Sequence, residues 1–143
     1  PLPDDLVDPL FLSPDSGAVD LANAARDAYG SGETDYFEKV RHSGTDVEIT
    51  PSDADPADRD VVIVDDIVAT GSTMSQAVSH LDAGGAARVF ATCVHPLLAR
   101  NARTKLERAG IERIVGTDTV ERDISAVSVA PIVAAAVDAV ESA

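Results

Sequence analysis

Lysine is nearly missing from this chain of 143 residues: two Lys and nine Arg stand against 25 acidic residues, for a formal charge of −14. Such a surface repels DNA, RNA and anionic lipid, which excludes nucleic acid as an expected partner. Asp outnumbers Glu 18 to 7 and the acids are scattered, a composition that resembles the hydrated surface of halophilic proteins. Cysteine is equally scarce. Cys93 alone cannot form an internal disulfide, and no charged-then-apolar leader is visible, so a reducing, cytoplasmic setting is expected. No stretch reaches the roughly eighteen apolar residues of a membrane span, and the most apolar tail, residues 127–140, is interrupted by Pro131 and Asp138. No membrane partner is expected. Pro1 in place of Met suggests a fragment or a processed chain.

What is present alternates. Pro9 to Leu12 forms an apolar run of strand length, and residues 18–29 carry apolar side chains at helical spacing up to the stop at Gly30. Residues 34–40 and 46–50 predict two short extended segments around a turn, His42-Ser43-Gly44. A solvated connection, 51–60, follows. Val61-Val62-Ile63-Val64 is β-branched throughout, suited to a central parallel strand, and is expected to stop at Asp65-Asp66. Met74, Ala77, Val78 and Leu81 predict a helix from about Thr73, with Thr73 and Gln76 as a capping box and Gly84-Gly85 as its end. Strands are expected at 88–94, 111–115 and 127–129, a helix at 97–109, and a last helix on the stripe Val129, Ile132, Val133, Ala136, Val137, Val140 with Pro131 in its first turn. This pattern predicts one α/β domain over residues 1–143, an open and mostly parallel β-sheet with helices on both faces. Ligands of such sheets bind beyond the carboxyl ends of the strands.

The loop after Val64 carries the chemistry. Ala69, Thr70, Gly71, Ser72 and Thr73 lead straight into a helix, and small residues at a helix start let backbone N–H groups and the helix dipole hold a phosphate without a basic side chain. Asp65 and Asp66 just upstream suit a vicinal diol or a hydrated Mg²⁺. A sugar phosphate satisfies both ends. A Gly-x4-Gly-Lys-Ser/Thr nucleotide loop is excluded, because no Lys lies between Lys39 and Lys105.

Residues 61–73 resemble the phosphoribosyl-diphosphate motif of the type I phosphoribosyltransferase superfamily. Within it, five ordered segments are similar to the ribose-phosphate diphosphokinase family, archaeal type: Ser13-Pro14-Asp15-Ser16-Gly17, Glu38-Lys39-Val40-Arg41, the central motif, Cys93-Val94-His95-Pro96-Leu97-Leu98 and Gly116-Thr117-Asp118-Thr119. The resemblance implies a type I phosphoribosyltransferase-like fold and transfer of the diphosphoryl group of ATP to the 1-hydroxyl of ribose 5-phosphate, with Mg²⁺ required. It assigns Asp65 and Asp66 to the ribose hydroxyls, residues 69–73 to the 5-phosphate, and Lys39 and Arg41 to a catalytic loop whose cations stabilise developing charge. Asp15, where the superfamily has its diphosphate-binding turn, would orient Mg²⁺ or a ribose hydroxyl, or else act as a helix N-terminal acid.

Ser72 stands where the family usually has Gly, which narrows the phosphate cup or adds one hydroxyl. Enzymes of this family are about twice as long, and this chain resembles their carboxyl-terminal half, so an amino-terminal half and assembly into homo-oligomers are the expected partnerships. Two alternatives are a free-standing phosphoribosyltransferase acting on a base and a non-catalytic homologue associated with a synthetase. Against the first, Phe11, Phe37, Phe90, Tyr29 and Tyr36 are the only aromatics and provide no hood for a base. His95 is expected to order a loop, Cys93 to fill space, and Asp118 to lie near the substrate face.

Overall fold

A computed structural model describes residues 2–43 and 47–143. Gly44 of the expected turn, Asp46 of the expected strand and Pro1 lie outside them. Six strands form one sheet in the order β2-β1-β5-β6-β7-β8, every neighbouring pair parallel. They are β1 (Leu10–Ser13), β2 (Glu33–Tyr36), β5 (Asp60–Val68), β6 (Arg88–Pro96), β7 (Arg113–Thr117) and β8 (Ser125–Val127). Between β2 and β5, β3 (Glu38–Arg41) and β4 (Val47–Thr50) make a separate antiparallel pair. The helices are α1 (Val19–Tyr29), α2 (Ser72–Ala83), α3 (Ala102–Ala109) and α4 (Ala130–Glu141).

Strand alternation explains the layers. Val61 and Ile63 of β5 join Leu10, Leu12, Val89 and Ala91 under α2 and α3, with Met74, Ala77, Val78, Leu81 and Leu106 packed on them. Val62 and Val64 point the other way, joining Phe11 and Phe90 against Ala22 of α1. A strand buried on both faces has no polar side to offer, which is why this run is apolar without interruption. From β1 the chain winds outward to β2, whereas from β5 it winds the other way through β6 and β7. The strand order therefore reverses between β1 and β5, the place where open α/β sheets form their ligand crevice.

Several sequence expectations shift. Strand β5 does not stop at Asp65-Asp66 but runs on to Val68, because β6 extends alongside it to Pro96 and the ladder continues through Ile67↔His95 and Val68↔Pro96. Helix α2 begins at Ser72, capped by Gly71 at φ +76° and by no side chain. The Thr73–Gln76 capping box does not form, since the Gln76 side-chain amide instead donates to the Val47 carbonyl at 3.1 Å. The expected helix 97–109 is shortened to α3. Leu98 and Ala99 donate their N–H groups to the carbonyls of Val68 and Ala69, at 3.0 and 2.8 Å, and Leu98 and Arg100 have positive φ, so this stretch braces the loop after β5. Strands β7 and β8 are displaced by two residues from their expected starts. Within residues 34–40, β2 joins the main sheet and β3 leaves it.

Helix α4 forms as its stripe predicts, with Pro131 in the first turn, yet no residue of it is buried. Ile132 and Val140 are 69% and 76% exposed. No helix among the described residues is long and apolar enough to cross a membrane.

Candidate functional site

At the switch point lies a polar cleft of about 240 Å³ lined by residues 65–74 together with Asp15 and Lys39. Three elements build it. The end of β5 supplies Asp65 and Asp66, the turn into α2 supplies residues 69–73, and β3 brings Lys39 across from the separate hairpin.

The acid pair is held by its own backbone. Asp65 Oδ1 accepts from the Asp66 N–H at 2.8 Å, and Asp66 Oδ1 accepts from the Ile67 N–H at the same distance. Burial, then the hydrogen bond and charge of Asp66, push Asp65 up to about 7. Asp66 is held below the ordinary carboxylate range, chiefly by the hydrogen bond from Asp65. Near neutral pH the two carboxyl groups thus share a proton whose preferred seat is the more buried member.

At the other end of the cleft, Gly71 turns the chain through a left-handed conformation so that α2 starts directly under the loop. A Cβ at Gly71 would also come within 3.4 Å of the Ala102 carbonyl oxygen and Leu106 Cγ, so glycine lets the cup and α3 pack closely. The first N–H groups of a helix have no intrahelical partner, and α2 has neither a side-chain cap nor an acidic residue in its first turn. Its amides and dipole are suited to an anion.

Each residue named from sequence can now be placed. Asp65, Asp66, Ala69, Thr70, Gly71, Ser72 and Thr73 come together in the cleft, with Lys39. Arg41 lies two residues further along β3, exposed and outside the cleft lining. Asp15 lines the cleft, but its Oδ1 accepts from Gly17 N–H at 2.8 Å, capping the short 3-10 turn Ser16–Ala18, while its Oδ2 pairs with Lys39 Nζ at 3.2 Å. His95 Nδ1 lies 2.8 Å from Thr119 Oγ1, whose hydroxyl donates to the Val94 carbonyl, an arrangement that orders the loop after β7. Asp118 accepts from Val129 N–H at 2.8 Å, which holds its carboxyl below the usual range and fixes the start of α4. Cys93 is buried, and that burial pushes its thiol up to about 12.

Sequence reading missed Lys105. Its Nζ donates to Ser72 Oγ at 3.0 Å, so a hydroxyl of the cup is engaged by a cation from α3. The only available signal was scarcity, since this is one of two lysines in the chain.

For Mg²⁺, the oxygen donors of Asp65, Asp66 and Asp15 are of the right chemical kind. Among the described residues, however, no group of three or more His, Cys, Asp or Glu side chains converges as a metal cage. Oxygen donors of this kind would hold such an ion through water.

Comparison with known proteins bears on the same residues. A family model described as the phosphoribosyl transferase domain matches residues 4–131. The ribose-phosphate pyrophosphokinase of Halobacterium salinarum is 62% identical over 134 residues, covering 94% of this chain and 47% of that protein. The protein of that name from Methanothermobacter thermautotrophicus is 44% identical over 129 residues, covering 90% and 45%. Among solved structures, the phosphoribosylpyrophosphate synthetase of Mycobacterium smegmatis superposes with a TM-score of 0.76 at 26% identity, over 97% of this chain and 46% of that one. The chain spans about half the length of the curated relatives it matches.

Proposed function

This chain belongs to the phosphoribosyl transferase domain family, and from that premise we propose that it is the ribose 5-phosphate-binding half of a ribose-phosphate diphosphokinase. The observation that carries the reading is the single cleft with paired carboxylates at one end, uncapped helix amides at the other and Lys39 beside them. In this reading Asp65 and Asp66 accept hydrogen bonds from the ribose hydroxyls, and residues 69–73 receive the 5-phosphate. The sugar's 1-hydroxyl attacks the β-phosphorus of ATP, the bond from that phosphorus to the α-phosphate oxygen breaks, and AMP leaves.

Reactions of this kind depend on positioning and on cations placed where charge develops. Lys39 is the cation already in the cleft, and transfer requires it to exchange its Asp15 partner for phosphate oxygens. Arg41 joins it from further along β3. Mg²⁺ would be held through water by Asp65 and Asp66, with Asp15 nearby, and would neutralise the diphosphate when bound. The adenine contacts belong to the amino-terminal half of the enzyme.

Titration calorimetry with ribose 5-phosphate and Mg²⁺ in concentrated KCl tests the reading. Binding by the unaltered chain, weakened in Asp66→Asn, is the expected result, and equal affinities would remove the diol assignment. Nucleotide formation from phosphoribosyl diphosphate and a free base would instead favour a phosphoribosyltransferase.

A further inference from the structure

We propose that Lys105 is a direct ligand of the sugar's 5-phosphate, delivered from α3, so that the cup combines main-chain amides with one ammonium and selects phosphorylated pentose over the free sugar. The inference rests on the reading of the cleft as a ribose 5-phosphate site and adds a specificity residue to it.

Electrostatics makes the placement meaningful. The start of a helix carries partial positive charge, and its natural complement is an acidic side chain. This chain has 25 carboxylates but puts none in the first turn of α2, and instead rests one of its two lysines there. A cation against the positive end of a helix is unfavourable while nothing lies between them. A phosphate monoester between the ammonium and the amides turns that conflict into attraction on both sides.

The hydrogen-bond inventory agrees. An ammonium has three donors, and among the described residues Lys105 has Ser72 Oγ as its partner and no carboxylate at ion-pair distance. Two donors remain for phosphate oxygens. Arg103, two residues earlier on α3, behaves differently: its guanidinium is committed to Glu107 and Asp123. Position is also fixed. Ala102, three residues before Lys105, and Leu106, the residue after it, are both fully buried and both pack against Gly71, so the lysine stem starts from a helix locked to the cup. Lys105 is not itself among the residues lining the cleft, but Ser72 is, and its hydroxyl accepts from the ammonium.

The test is calorimetric titration of the unaltered chain, Lys105→Gln and Lys105→Arg with ribose 5-phosphate and with ribose, each protein checked for an unchanged melting temperature. Lys105→Gln is expected to lower ribose 5-phosphate affinity about tenfold, the scale of a charged hydrogen bond, while Lys105→Arg retains most of it. The unaltered chain should also lose affinity more steeply with added KCl than Lys105→Gln does. Equal ribose 5-phosphate affinities for the unaltered chain and Lys105→Gln would overturn the assignment and leave the cup standing. Failure of the unaltered chain to bind ribose 5-phosphate at all would overturn the cup reading and this inference together.

Discussion

The two ends of β5 handle acid groups in opposite ways. At its start Asp60 is 1% exposed, and its carboxylate takes a two-pronged contact from Arg88, Nε to Oδ1 at 3.0 Å and Nη2 to Oδ2 at 2.7 Å, plus the Val7 N–H at 2.8 Å. At its end Asp65 and Asp66 face one another with no such cation, and one of them is pushed up to about 7. The hydrogen bond from Arg88 does the reverse at Asp60, holding its carboxyl below the ordinary range. One strand thus carries an acid neutralised by a cation at its start and an acid pair with no cation partner among the described residues at its end, the kind of perturbed pair that marks a candidate site.

The largest effect expected from this contrast comes from breaking the satisfied end. Asp60→Asn removes the charge that Arg88 and the Val7 N–H hold and should cost about 1.5–3 kcal/mol in denaturant unfolding, the scale of charged hydrogen bonds. Because Asp60 is depressed in the fold, its contribution is present above the ordinary carboxylate range and is lost as pH falls through the folded value. Acid unfolding of the unaltered chain should steepen there, and that limb should flatten in the variant.

At the other end, Asp66→Asn should weaken ribose 5-phosphate binding by roughly 1–3 kcal/mol with little change in melting temperature. A variant that lost stability instead would erase the difference between the two ends.

Asp65 gives a smaller effect of opposite sign. Its value is raised in the fold, so between about 4 and about 7 the folded chain holds a proton that the unfolded chain has released, and stability falls as pH rises through that window. Asp65→Asn should therefore melt about 2–5 °C higher at pH 8 and show no gain at pH 4, readable by thermal scans. Ligand binding by the unaltered chain should strengthen over the same rise, as the pair becomes fully charged.

The smallest effect calibrates the first. Asp5 also faces Arg88, at 3.6 Å, but is exposed, and Asp5→Asn should change unfolding by less than about 1 kcal/mol.

The layered sheet was legible because β5 and its neighbours are apolar on both faces and α2 keeps its stripe, and both signals follow from burial alone. The cup and acid pair were legible because local chemistry, small residues before a helix and adjacent carboxylates, is written in consecutive positions. Long-range pairing was not. Nothing local to Asp65 says that β6 will extend β5 past it, nothing in Leu98-Ala99 says that their amides will serve Val68 and Ala69, and Lys105 reaches the cup only because α3 packs on Gly71. Gln76 was misread for the same reason, since its partner, Val47, is 29 positions away.

That misread glutamine ties two distances together. The helix whose first turn forms the cup also grips β4 four residues later, while Ile49, paired across the ladder with Lys39, is buried in the cluster that holds Met74 and Ala77. Both the anion cradle and the hairpin bearing the lysine are therefore surveyed from one datum.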